Sequence, residues 1–147
     1  MPRVGIALGS NLGDRTAHLE AARAALREIA TPGEPFLAAR DHETAPLDCP
    51  PGSPAFLNSV IELDFLGTAF ELLALTQAIE KHLGRRIVPE RNAPRVIDID
   101  LLYFGAEIFN TDELVLPHPR MPSRAFVMTP LAEIRPDWFD GGNFCPP

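Results

Sequence analysis

The chain has little cysteine, a single lysine and no long apolar run, and each shortage narrows what it can be. Its two cysteines, Cys49 and Cys145, stand far apart beside prolines, and no CxxC or Cys/His spacing offers a zinc site. A reduced pair in a cytoplasmic protein is the expectation. Lys81 is the only lysine in 147 residues, and no GxxxxGK[ST] phosphate loop is present. Any nucleotide must therefore be held by arginines and metal. No stretch approaches the roughly 20 apolar residues that cross a bilayer. The start of the chain, one arginine followed by a short strand-like segment and a polar loop, does not read as a signal peptide. Positive charge is scarce overall: the formal net charge of -7 argues against nucleic-acid or anionic-membrane binding.

What basic charge exists is concentrated. Residues 1–80 carry eleven acids and five arginines, whereas Lys81 to Arg95 holds five basic residues and one acid, Glu90. An acidic protein with one cationic loop suits a compact anion better than a long polyanion. With 46% apolar and 22% charged residues the composition is that of an ordinary globular protein. A single domain over 1–147 is expected, with an irregular Gly- and Pro-rich tail from 136 to 147.

Val4 to Leu8 reads as a short buried strand, and Gly9-Ser10-Asn11-Leu12-Gly13 as a turn, with Asp14 capping a helix from Arg15 to about Ile29. Phe36 to Glu43 predicts a second strand, and the proline-rich run 45–54 a long surface loop. Phe56 to Phe65 is a strong strand. Thr68 to Leu83 follows as a helix stopped by Gly84. Val96 to Phe104 is the third strong strand, Glu107 to Phe109 a short edge segment, and Ser123 the cap of a helix reaching about Ile134. The visible order β-α-β-β-α-β predicts an α+β, ferredoxin-like sandwich, with helices against one face of a mainly antiparallel sheet.

Asp98 and Asp100 stand two apart inside an apolar strand. Alternation projects both carboxylates on one face, roughly 7 Å apart, with Ile97, Ile99 and Leu101 turned to the core. Two adjacent carboxylates repel and are costly to desolvate, and a hard divalent cation relieves both costs. An edge strand with a solvated acidic face is the alternative reading. The preceding loop contributes Arg85, Arg86, Arg91 and Arg95, whose forks match phosphate oxygens; paired singly with scattered acids, they would be ordinary surface residues. His118, between two prolines and near Arg120 and Arg124, is a further candidate triphosphate contact. Phe56 and Asn58 share a strand face, an aromatic plate beside an amide that suits a flat heterocycle, although Phe in a strand also serves as core. The Gly9–Gly13 turn is the weakest candidate phosphate cradle.

These residues resemble a known family. Gly9-Ser10-Asn11-Leu12-Gly13-Asp14, Pro54-Ala55-Phe56-Leu57-Asn58, Pro94-Arg95-Val96-Ile97-Asp98-Ile99-Asp100 and Leu116-Pro117-His118-Pro119 through Phe126 follow the order and spacing of 6-hydroxymethyl-7,8-dihydropterin pyrophosphokinase. The resemblance spans about residues 4–135. It implies a ferredoxin-like fold, two Mg2+ ions, ATP and 6-hydroxymethyl-7,8-dihydropterin as substrates, and AMP as co-product. It makes Asp98 and Asp100 metal ligands and, with Arg85 and Arg95, the catalytic set. It assigns Gln77, Glu80, Arg85, Arg95, His118 and Arg124 to ATP, joined by Arg91 of the basic loop. Thr44, Pro46, Leu47, Phe56, Asn58 and Phe126 match the pterin pocket. Asn92-Ala93 stands where some relatives carry an aromatic–Gly pair. A monomer is expected, with a weak dimer as the alternative. A non-catalytic nucleotide-binding module and a metal-dependent phosphohydrolase are the rival readings of the same motifs.

Overall fold

The structure is a computed structural model that describes residues 2–44, 55–84 and 96–146. Three long strands carry it: β1 (Arg3–Ser10), β4 (Phe56–Asp64) and β5 (Asp98–Phe104). Two short strands, β2 (Leu37–Ala38) and β3 (His42–Thr44), both pair with β4 along its outer edge. The sheet runs β2-β4-β1-β5, with β3 beside β4, and every pairing is antiparallel. The single strand expected over Phe36 to Glu43 is thus two, interrupted at residues 39–41.

Helix α1 (Arg15–Ile29) starts where the Asp14 carboxylate accepts the Ala17 N–H at 3.1 Å. Helix α2 (Ala69–His82) opens on a reciprocal capping box between Thr68 and Glu71. It ends before Gly84, whose φ of 103° a residue with a Cβ would adopt only under strain. Leu19, Ala22 and Leu26 of α1 and Ala69 and Leu72 of α2 pack on Val4, Ile6, Leu8, Ile61, Leu63, Ile99 and Leu101.

The opposite face of the sheet is covered as well. Helix α3 (Ala125–Ile134), preceded by a short 3-10 turn at Met121–Ser123, buries Val127 and Leu131 against Val60, Leu102 and Tyr103. Helices therefore lie on both faces, not the one expected. The residue content of β4 explains this, because its buried run from Asn58 to Asp64 has no solvated alternate positions. Ser123 does not cap α3; its hydroxyl donates to the Arg120 carbonyl at 3.0 Å, and Arg124 occupies the cap position.

Strand β5 slips register against β1 between Gly5 and Ile6, so that Leu102 is the extra residue. Leu102 and Tyr103 consequently both join the α3 side, while Leu101 and Phe104 stay with α1 and α2. After β5 come β6 (Phe109–Asn110) and β7 (Val115–Leu116), a small antiparallel pair. The tail is more ordered than its composition predicts. A 3-10 turn at Pro136–Trp138 leads into a hairpin of β8 (Phe139–Asp140) and β9 (Asn143–Phe144), with Trp138 and Phe144 in the second core. Among the described residues, no helix is long and apolar enough to cross a membrane.

Candidate active site

The antiparallel register brings the chemistry-bearing residues to one end of the sheet, on the face that α3 covers elsewhere. Gly9 on β1 pairs with Asn58 of β4 on one side and Asp98 of β5 on the other. Thr44 on β3 extends the row, because its hydroxyl accepts the Asn58 amide N–H at 2.6 Å. Neighbouring strands are about 4.8 Å apart, which sets the Asn58 and Asp98 backbones roughly 10 Å from each other across Gly9. A Cβ at Gly9 would sit 3.0 Å from Asn58 Oδ1 and 3.6 Å from Phe56 Cδ1. The glycine thus leaves open a slot floored by backbone and walled by an amide, an aromatic ring and a carboxylate.

Asp98 and Asp100 share this face, as alternation requires, while Ile97, Ile99 and Leu101 are buried in the core on the other. Asp98 is half-buried and Asp100 exposed. The strand segment between them is fixed from behind: Glu80 on α2, itself buried, accepts the Ile99 N–H at 2.8 Å. Among the described residues no group of three or more His, Cys, Asp or Glu side chains is arranged to hold a metal. The two aspartates make an oxygen-only, two-carboxylate donor set. That suits magnesium, which takes one or two carboxylates and completes its shell with water and phosphate oxygens.

A cavity of about 370 Å3 opens beside Asp100. Leu73, Ile99, Leu101, Leu114 and Val115 give it an apolar wall, and Asp100, His118, Arg120 and Arg124 a polar one. The loop bearing His118 is pinned to β5 by the bond from the His118 N–H to the Leu102 carbonyl at 2.8 Å. The Arg120 N–H donates to His118 Nδ1 at 3.2 Å, so the neutral ring carries its proton on Nε2. Burial, and then the Arg124 and Arg120 guanidiniums, lower the His118 pKa from its ordinary 6.5. Near neutral pH this side chain is an uncharged N–H donor between two fixed cations. Arg124 also lies over the Phe126 ring, 5.4 Å from its centroid, so the cavity's edge is continuous with the first turn of α3.

Of the residues singled out by sequence, Thr44, Phe56, Asn58, Asp98 and Asp100 gather at the slot, and Asp100, His118 and Arg124 line the cavity. Gln77 is exposed on α2 and is not among the cavity's lining residues. Glu80 contacts the backbone of β5. Arg85, Arg91, Arg95, Pro46 and Leu47 lie outside the described residues, as do Asn92-Ala93 and Cys49. Sequence reasoning overlooked Gly9 as a gap in the sheet surface, and Leu73, Leu114 and Val115 as cavity wall. Gly9 was legible as the alternate position after Ala7. Leu73 joins the wall through the packing of α2 on β5, and Leu114 and Val115 through that of β7 on β5.

One family model and three relatives are similar to this chain. The family model described as 7,8-dihydro-6-hydroxymethylpterin-pyrophosphokinase (HPPK) matches residues 5–136. A 2-amino-4-hydroxy-6-hydroxymethyldihydropteridine pyrophosphokinase of Bacillus subtilis (strain 168) is 45% identical over 130 residues, covering 88% of this chain and 75% of the relative. Its namesake from Methylorubrum extorquens is 43% identical over 145 residues, 97% of this chain and 89% of the relative. That from Pseudomonas aeruginosa is 38% identical over 136 residues, 92% and 82% of the two chains.

Proposed function

Because the chain belongs to the 7,8-dihydro-6-hydroxymethylpterin-pyrophosphokinase family, we propose that the Gly9 slot receives the pterin and the adjoining cavity receives ATP. The enzyme is a pyrophosphokinase of folate biosynthesis that transfers diphosphate from ATP to hydroxymethyldihydropterin. The observation that carries the site assignment is the register that sets Asn58 and Asp98 on either side of Gly9. It sets the Asn58 and Asp98 positions at opposite edges of one slot, which supports a heterocycle at the amide and a metal at the carboxylate.

In that slot the Asn58 amide and the Thr44 hydroxyl bind the pterin edge, and Phe56 and Phe126 stack on its faces, with Pro46 and Leu47 completing the pocket. In the cavity His118 donates its Nε2 proton to a phosphate oxygen, and Arg124 neutralises charge beside it. Gln77 contributes to the ATP side. Glu80 acts through the Ile99 N–H, keeping the two aspartates aimed at the junction of the subsites. Arg85, Arg91 and Arg95 supply the remaining positive charge, with Arg85 and Arg95 on the transferring group.

The hydroxymethyl oxygen attacks the β-phosphorus in line. An O–P bond forms there, the hydroxyl proton passes to solvent, the bond from the β-phosphorus to the α,β-bridging oxygen breaks, and AMP departs with that oxygen. Asp98 and Asp100 would hold Mg2+, two ions in this proposal, which would neutralise phosphate charge and lower the proton affinity of the attacking hydroxyl. Most of the rate comes from alignment, since both substrates are fixed at adjoining sites of one sheet end. Protein side chains form no covalent intermediate.

The β-α-β-β-α-β order with its antiparallel sheet supports a ferredoxin-like arrangement, elaborated by α3 and the tail, over a single domain 1–147. We place the enzyme in the cytoplasm as a monomer. The test is product analysis by 31P NMR after incubation with ATP, magnesium and 6-hydroxymethyl-7,8-dihydropterin. AMP and a pterin diphosphate in equal amounts are expected; ADP or inorganic phosphate as the main product would overturn the reading.

A further inference from the structure

Glu133, near the C-terminus of α3, reaches across to the edge of the sheet and gathers three contacts that the reaction itself does not use. Its Oε2 accepts the Arg40 backbone N–H at 2.9 Å, and its Oε1 accepts from the Arg40 guanidinium at 3.3 Å. The same Oε1 is hydrogen-bonded to His42 Nε2. The side chains of His42 and Glu133 keep 22% and 24% of their surface exposed, so the contact lies at the protein surface, partly covered by its own partners. Burial by itself raises the Glu133 pKa. The bonds from Arg40 and His42 outweigh it and hold the carboxyl below its usual range. Glu133 is thus an ionised acceptor whose partners all belong to the segment entering and opening β3.

What that segment carries gives the contact its meaning. His42 opens β3 and pairs in register with Asn58, and two residues later Thr44 accepts the Asn58 amide. On α3, Glu133 follows Phe126 by seven residues, two helical turns, and so falls on the same stripe of the helix. The Glu133–His42 contact therefore ties the strand that ends in Thr44 to the helix that presents Phe126.

We infer that Glu133 and His42 form a latch that sets the spacing between the Thr44–Asn58 pair and Phe126, and with it the affinity for the pterin. The inference rests on the assignment of those three residues to the pterin pocket. Both latch residues are positioning residues, because they act through the Thr44–Asn58 pair and Phe126 and not on the pterin itself. A latch of this kind predicts a selective effect. Releasing α3 from β3 disturbs the pterin slot more than the Asp100–His118 cavity, which shares with α3 only Arg124 at the helix's N-terminus.

The experiment compares wild type, His42→Ala, His42→Gln, Glu133→Ala and Glu133→Gln, with Phe126→Ala as the control on the pocket. The dissociation constant of the pterin is read from its fluorescence in the presence of magnesium and a non-hydrolysable ATP analogue. KM for ATP and the melting temperature are measured alongside. His42→Ala and Glu133→Ala are expected to weaken pterin binding about fivefold, ~1 kcal/mol, with KM for ATP within about twofold of wild type. His42→Gln, which keeps a donor near Nε2, restores pterin affinity. Should Glu133→Ala not fold, Glu133→Gln keeps the side chain's shape but gives up one acceptor oxygen, and it must show the same selective loss. Unchanged pterin affinity in folded His42 and Glu133 variants, or parallel losses for both substrates, would overturn the latch. If Phe126→Ala also leaves pterin affinity unchanged, the pocket assignment fails with it; if Phe126→Ala alone weakens binding, the latch fails and the pocket stands.

Discussion

The Gly5→Ala substitution probes how the second face of the sheet is built. A Cβ at Gly5 would lie 2.2 Å from Tyr103 Cε1 and 2.4 Å from Cζ, so the ring must leave its place over β1. It has nowhere convenient to go. Trp138 packs against it with ring centroids 5.0 Å apart, and its hydroxyl donates to the fully buried Glu62 carboxylate. The other Glu62 oxygen accepts from Arg3 Nε at 2.8 Å and from Arg135 at 3.2 Å. Burial, and then the bond to Glu62, push the Tyr103 hydroxyl far above its ordinary pKa of 10.0, so it remains a donor at any working pH. Forcing the ring out adds an overpacking cost of ~1–3 kcal/mol. It also removes a hydrogen bond to a buried charge, worth ~1.5–3 kcal/mol. The substitution should therefore destabilise the protein by roughly 2.5–6 kcal/mol. At about 2–4 °C per kcal/mol for a chain of this size, the melting temperature falls by ~5–24 °C. Urea unfolding followed by the fluorescence of Trp138, the one tryptophan in the chain, reads the change directly. Gly5→Ala combined with Tyr103→Leu should cost less than the sum of the single changes, because the clash is then gone. Gly5→Ala within about 0.5 kcal/mol of wild type would refute the reasoning, since surface substitutions of no consequence fall in that range.

Other perturbations address separate parts of the structure. Thr68→Ala breaks the capping box of α2 and should cost about 1 kcal/mol by denaturant titration, against no measurable loss if the cap is idle. His118 has its pKa lowered in the folded state, so the unfolded chain takes up that proton first as the pH falls. Its contribution to stability is present in full above the ordinary value of 6.5 and is lost as the pH drops through the lower folded value. Unfolding free energies of the substrate-free enzyme measured between neutrality and mild acid should therefore decline more steeply for wild type than for His118→Gln; equal slopes would contradict the assignment. Arg124→Ala should raise KM for ATP about tenfold or more, as expected for loss of a charge-assisted hydrogen bond to phosphate.

The parts of the fold that were legible in the sequence are those governed by local rules. Asp14 and Thr68 cap the two helices they were expected to bound or open, and Gly84 stops α2, because capping depends on a few adjacent residues. Alternation in Val96 to Leu101 correctly sorted two carboxylates from three core side chains. What was not legible depends on distant partners. Ser123 has the right chemistry for a cap, yet the turn at Met121–Ser123 uses its hydroxyl first. The tail reads as irregular, but Trp138 finds Tyr103 and Phe144, and those ring contacts hold a hairpin that its glycines alone would not. The site divides in the same way. Asp98, Asp100, Phe56 and Asn58 announce themselves by spacing, whereas the role of Gly9 as an opening emerges only when β4 and β5 are placed on either side of β1.

The paired aspartates stand at the centre of the account, and the magnesium dependence of their variants tests it most directly. Asp98→Ala and Asp100→Ala should each fold, since Asp98 is only half-buried and Asp100 is exposed. Each should lose at least about a hundredfold in turnover, ~2.7 kcal/mol of transition-state stabilisation, with partial recovery only at raised magnesium. Far-ultraviolet circular dichroism and the melting temperature should stay close to wild type. Turnover within a few-fold of wild type in either variant, at the same magnesium concentration, would contradict the assignment of this strand face as the metal platform.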